Sequence, residues 1–197
     1  MKLKAGDKLV IASHNPGKLR EISALLSDYD LLFDSSGNLG LEEPEETEET
    51  FNGNALLKAR FVSSKTGLIA LADDSGLVVP ALNGQPGVYS ARWAGLEKNQ
   101  HLANKKVIDL LEDKPGDAHF VCVLAVVWPN GDEITFEGQS YGSLTWPERG
   151  ELGFGFDPIF IPNGESKTYG EMTKLEKSQT SHRTKAFTKL KERLLYS

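Results

Sequence analysis

Residues 68–79, LIALADDSGLVV, constrain this chain more than any other stretch. The apolar residues on both sides read as buried strand, yet Asp73, Asp74, Ser75 and Gly76 stand in its middle. Two adjacent carboxylates inside an apolar run carry a heavy desolvation cost. Either the chain turns there and meets water, which DDSG suits as turn chemistry, or positive groups meet the aspartates. Consecutive strand residues point to opposite faces, so the two carboxylates are expected to do different jobs.

At 197 residues the chain is expected to form one domain, 1–197, with a sizeable core. Its 39% apolar and 25% charged residues are ordinary for a soluble globular protein. The opening MKLKAGDKLVIAS has too short an apolar run for a secretory signal. Nothing approaches the roughly 18–20 apolar residues of a membrane span, so no membrane partner is expected. The single cysteine, Cys122, lies in FVCVLAVVW and reads as a core residue, which points to the cytoplasm. A net charge of −6 argues against general affinity for nucleic acid. That charge is uneven, with LEEPEETEET (41–50) acidic and KLEKSQTSHRTKAFTKLKER (174–193) basic. Both are explained as solvated faces, or as the two sides of a site for a metal ion and a polyanion.

KLVIAS (8–13) reads as a strand, and LREISALLSD as a helix with Asn15 its N-cap and Pro16 its first residue. A second strand is expected at 29–33 and a helix over 50–67, capped by Thr50 and closed by Gly67. NGQPGVYSARWAG (83–95) reads as a loop and 97–112 as a helix. AHFVCVLAVVW and DEITFEGQSYG form a hairpin about Pro129-Asn130-Gly131. ELGFGFDPIFIP reads as a loop running into a strand, followed by one or two terminal helices with Ser181 a candidate cap. Early strand–helix alternation and a late hairpin suggest an α/β fold on a mixed sheet.

ASHNPGK joins a strand to a helix N-terminus, a place that suits phosphate, with Lys18 in the first turn; a plain connection explains it equally well. It lacks the spacing of a P-loop. Asp73-Asp74, with Glu46 or a neighbour from the acidic loop, is the kind of carboxylate set that holds Mg²⁺ on substrate phosphates. Lys58, Lys177, His182 and Arg183 read singly as surface residues. GFGFDP presents either a flat aromatic face for a base or a core-facing aromatic pair. Together these elements describe a nucleoside triphosphate site.

With those residues assembled, the sequence resembles the inosine/xanthosine triphosphate pyrophosphatase family over nearly its whole length. ASHNPGKLREI, EETEETFNGNALLKA, ADDSGL, PGVYSAR, GFGFDPIF and EKSQTSHR follow the family's motifs in order and spacing. The resemblance implies an elongated mixed β-sheet flanked by helices, two lobes with a central active-site cleft, and a homodimer. It implies Mg²⁺-dependent hydrolysis of dITP, ITP and XTP to a monophosphate and pyrophosphate. It also implies roles: Ser13, His14, Asn15, Pro16, Gly17 and Lys18 as the phosphate turn, and Lys58 as a triphosphate lysine. Glu46 and Asp74 become magnesium carboxylates, with Asp74 also the catalytic proton acceptor, so the chain is expected to turn at Asp73–Gly76 with Asp74 met by Mg²⁺. Ser75 becomes a substrate contact, Phe154, Gly155, Phe156 and Asp157 the base-stacking segment, and Lys177, His182 and Arg183 the purine readers. Two positions depart from the pattern: Gly53, where some members carry glutamate, and His14, where some carry glycine. MKLKAGD looks like an unstructured lead-in. A pyrophosphatase for modified pyrimidine nucleotides is the nearest rival, and a non-catalytic nucleotide binder or a nucleic acid binder lies further off.

Overall fold

The first strand, β1 (Lys8–Ala12), has four of its five residues buried, as expected of a strand covered on both faces. Asn15 then starts α1 (Pro16–Leu26): its Oδ1 accepts from the N–H groups of Gly17 and Lys18, with Pro16 in the first turn. The second strand, β2 (Leu32–Ser35), begins later than expected, because Tyr29 and Leu31 close the turn that follows α1. Helix α2 (Phe51–Thr66) has Thr50 as its cap and ends on Gly67 at φ 66°, a left-handed conformation that glycine adopts without strain.

The strand expected to break at Asp73 does not break. β3 (Ile69–Val78) runs straight through DDSG, with Asp73 and Asp74 buried. The turn reading fails because lysines from two earlier helices meet both carboxylates, which removes the need for water. Gly76 is required in this strand: a Cβ there would collide with Gly87 O and Ser90 Oγ. Ser90 accepts from Leu77 N at 2.9 Å and donates to Gly87 O at 2.7 Å, pinning the next segment, Gly87–Ala94, a 3₁₀ helix where a loop was expected.

The chain continues through α3 (Gln100–Leu111), capped by Asn99, then β4 (Asp117–Val127) and β5 (Glu133–Leu144). Trp128 N donates to Asp132 O across the expected Pro129–Gly131 connection. After β6 (Phe160–Pro162) come α4 (Lys174–Thr180) and α5 (His182–Leu190), and Ser181 Oγ accepts from Thr184 N at 3.1 Å as the expected cap. The six strands form one mixed sheet in the order β2-β1-β3-β4-β5-β6. β1 is parallel to both β2 and β3, and β5 is antiparallel to β6.

This computed structural model describes residues 1–195, which divide into two compact units. Unit 1 holds residues 1–74, 122–138 and those from 185 onward; its core gathers Leu9, Ile11, Ile22, Leu71, Leu124 and Phe187. Unit 2 holds 75–121 and 139–184, around Leu77, Val107, Phe120, Ile159, Phe160 and Tyr169. The lead-in MKLKAGD is not loose: Leu3 is buried in the unit 1 core, its N–H donates to Leu194 O, and Gly6 N donates to Asp30 O. An apolar residue at position 3 gave the stretch something to bury. Among the described residues no helix is long and apolar enough to cross a membrane.

Candidate active site

The β1–α1 turn is built on local bonds. Ser13 is buried and its Oγ accepts from Asn15 N at 3.2 Å. Asn15 Oδ1 and Asn15 O together take the N–H groups of Gly17, Lys18 and Leu19. The helix N–H groups expected to face an anion are therefore already engaged by the cap. The positive end of α1, the remaining amide donors of Asn15 and the Lys18 ammonium are what the turn offers to a phosphate. Pro16 and Gly17 shape the turn, and the His14 ring reaches away from it to Leu41 O at 2.9 Å.

The two aspartates of β3 do separate jobs, as strand geometry requires. Asp73 Oδ1 lies 2.5 Å from Lys18 Nζ, and its Oδ2 accepts from the Cys122 thiol at 3.0 Å. Cys122 is the core residue its surroundings in sequence suggested. Asp74 Oδ1 lies 3.1 Å from Lys58 Nζ, and the same ammonium meets Glu46 Oε1 at 2.5 Å. Lys58 is only 4% exposed, against the usual fate of a mid-helix lysine. Burial works against its charge, but Asp74 and Glu46 outweigh burial and hold its pKa above the ordinary lysine value. Asp74 behaves differently. Burial pushes its carboxyl up to about 6, although Lys58 and Lys18 pull the other way; the Glu46 charge adds to the rise.

Asp74 Oδ2 is buried with no hydrogen-bond partner among the described residues. An orphaned carboxylate oxygen beside a second carboxylate, Glu46, is the donor chemistry that suits Mg²⁺, which is commonly held by one or two carboxylates together with waters and substrate phosphates. Among the described residues no group of three or more His, Cys, Asp or Glu is placed to hold a metal ion. Gly53 offers no ligand: the space a Cβ would take there is filled by the Glu48 side chain. Asn54 clamps Glu48 through both its backbone groups, at 3.0 and 3.1 Å.

Unit 2 carries the other expected residues, starting with Ser75, the neighbour of Asp74 in β3. Arg183, 1% exposed, donates from Nη2 to Ser75 Oγ at 2.9 Å. Asp157 Oδ2 accepts from Phe154 N at 2.8 Å and from Lys177 Nζ at 2.6 Å. The Phe154 ring stands 5.0 Å from Lys177 Nζ and 5.8 Å from the Arg183 guanidinium carbon, a half-buried face with cations alongside. Gly155, at φ 64°, makes the bend after it. Phe156 is different from its partner in the motif: it is buried in the unit 2 core, so the stacking segment presents one aromatic ring rather than two. His182 is buried and stacks on Phe120 with ring centres 4.7 Å apart and planes 12° apart.

Sequence reasoning placed Asp73 only in a candidate carboxylate set and gave Phe120 and Tyr169 no role. Asp73 holds Lys18, Phe120 holds the His182 ring, and Tyr169 lies under Lys177 at 5.4 Å with its hydroxyl on Ser140 and Thr180. The partner of each lies far off in sequence. Only the adjacency of Asp73 to Asp74 was a visible signal.

Unit 1 thus carries a capped turn with a lysine and a lysine-bridged carboxylate pair, and unit 2 an aromatic ring with cations alongside. The chain belongs to the Ham1 family, whose sequence model matches residues 9–193. A dITP/XTP pyrophosphatase of Caulobacter vibrioides is 55% identical to it over 193 residues, covering 96% of this chain and 98% of the relative. A HAM1 protein from Coxiella burnetii superposes with a TM-score of 0.87 at 38% identity, covering 94% of this chain and 97% of that one. A nucleoside-triphosphatase, dITP/XTP pyrophosphatase, from Mycobacterium abscessus superposes with a TM-score of 0.75 at 42% identity, covering 93% and 98%.

Proposed function

We propose that this chain hydrolyses non-standard purine nucleoside triphosphates, dITP, ITP and XTP, to the monophosphate and pyrophosphate, removing them from the nucleotide pool. The observation that carries the reading is Asp74, a buried carboxylate with one free oxygen and a pKa near 6, flanked by Lys58 and Lys18. The 55% identity to a dITP/XTP pyrophosphatase supports the same substrates. A water attacks the α-phosphorus; the new P–O bond forms as the α–β anhydride bond breaks, and pyrophosphate leaves. The Asp74 carboxylate takes the proton of that water, the general-base role its place beside the lysines allows. Lys18 and Lys58 balance charge on the leaving oxygens. Glu46 and Asp74 would hold Mg²⁺, which when bound supplies neutralisation of the triphosphate charge.

The purine is read by unit 2. Phe154 offers its face, and Lys177, His182 and Arg183 offer donors to the 6-oxygen of hypoxanthine or xanthine. Adenine presents an amino donor at that position, and leaving a buried donor unpaired costs about 1–3 kcal/mol. Guanine shares the 6-oxygen, so its rejection falls to the 2-amino side. No observation favours modified pyrimidines. A homodimer and a cytoplasmic setting belong to the same proposal, the first resting on the resemblance and the second on the lone buried thiol of Cys122. The net charge of −6 supports a small nucleotide rather than nucleic acid as the partner.

Incubating the chain with Mg²⁺ and dITP, XTP, dGTP or dATP tests this. Monophosphate and pyrophosphate from dITP and XTP, with little turnover of dATP and dGTP, is the expected result. Orthophosphate with a diphosphate would overturn the mechanism, and equal turnover of dATP would overturn the base assignment.

A further inference from the structure

Residues 41–49 form neither helix nor strand, although Glu46 within them must be held against Lys58. Backbone regularity does not position this segment, so side-chain anchors have to. At its far end Asn54 clamps Glu48. At its near end Leu41 N donates to Ser36 O at 3.0 Å, and Leu41 O accepts from His14 Nε2 at 2.9 Å. A carbonyl only accepts, so Nε2 carries the proton and the ring is fixed in that tautomer. The other ring nitrogen lies 4.0 Å from Glu43 Oε2. His14 thus reaches 27 positions along the chain, from the turn that ends in Lys18 to the segment that carries Glu46.

We propose that His14 is a positioning residue: its ring ties the β1–α1 turn to the acidic segment and so sets Glu46 against Lys58 and Asp74. The inference rests on the functional reading above, in which the turn meets phosphate and Glu46 is a metal carboxylate. It gives the histidine a task that glycine at the same position cannot perform. The Nε2–H is engaged by Leu41 rather than offered to a ligand. Seating a phosphate at the turn and placing Glu46 then become one event, because both ends of the link move together.

The test uses the full-length chain, His14→Ala and His14→Gln, first without metal or nucleotide. A glutamate-specific endoprotease reports the opening of the segment, with cleavage at residues 42–49 followed by mass spectrometry and folding checked by circular dichroism. The alanine variant is expected to be cut about fivefold faster than the parent, and the glutamine variant, which keeps an N–H donor of similar reach, near the parent rate. Equal rates for alanine and parent overturn the proposal. In dITP hydrolysis the half-saturating Mg²⁺ concentration rises about fivefold in the alanine variant, more than kcat changes, and glutamine restores it. A raised KM for dITP with unchanged Mg²⁺ dependence places the ring on the substrate and overturns the positioning role. A parent chain that leaves dITP intact defeats the functional reading, while the proteolysis still decides the strut.

Discussion

Unit 1 and unit 2 each carry a cluster of charged side chains, made from the same kinds of groups and paired differently. In unit 1, Lys18 and Lys58 face three carboxylates, Asp73, Asp74 and Glu46. In unit 2, Lys177 meets Asp157 and Arg183 donates to Ser75 Oγ. The first leaves Asp74 Oδ2 buried with no hydrogen-bond partner among the described residues. The second sets its cations beside an aromatic ring, with Lys177 Nζ 5.0 Å and the Arg183 guanidinium carbon 5.8 Å from Phe154. Burial sharpens both, since charge that water would screen acts at close range.

The largest effect should come from Asp74→Asn, which removes the proton acceptor and should lower kcat by about 10³-fold. The same change should stabilise the metal-free fold. In the folded chain Asp74 has a pKa of about 6 against an ordinary 3.8, so the native state holds its proton more tightly. Stability therefore falls as pH rises from 3.8 through 6, and the penalty persists above that window. Asparagine lacks the penalty, so its melting temperature should exceed the parent's at pH 7 and lose that lead toward pH 4. A less stable variant at pH 7 would break the contrast between the two clusters. Lys58→Met should act in the opposite sense, leaving Asp74 and Glu46 without their shared cation at a cost of about 3–5 kcal/mol in denaturant unfolding. That loss should shrink in acid, as Asp74 protonates through about pH 6.

Smaller effects belong to unit 2. Arg183→Ala should reduce the preference for ITP over ATP about tenfold, measured as the ratio of kcat/KM values. Phe120→Leu should reduce it about threefold by freeing the His182 ring from its stack, with little change in Mg²⁺ dependence. A shift in Mg²⁺ dependence there would show that the clusters do not divide the labour as described.

Much of the frame was legible because its signals are local. Asn15 with Pro16, and Thr50 with Gly67, mark helix ends through bonds within a few residues, and both helices form where those signals put them. The strand through Asp73 and Asp74 was misread as a turn for the opposite reason. Its stability depends on Lys18 and Lys58, which belong to other helices, and a window of twelve residues cannot contain them. Phe156 shows the same limit: it shares a motif with Phe154, but the motif does not say which ring the core will claim. The roles of the site residues came from resemblance, and the structure adds who holds them: Asp73 for Lys18, Asp157 for Phe154 and Lys177, Phe120 for His182.

The most direct test is to run dITP hydrolysis in water enriched in ¹⁸O and weigh the products. Attack at the α-phosphorus places the heavy oxygen in the monophosphate and leaves pyrophosphate unlabelled, which is what the unit 1 cluster is built to do. Heavy oxygen in the pyrophosphate would move the attack to the β-phosphorus and contradict the account.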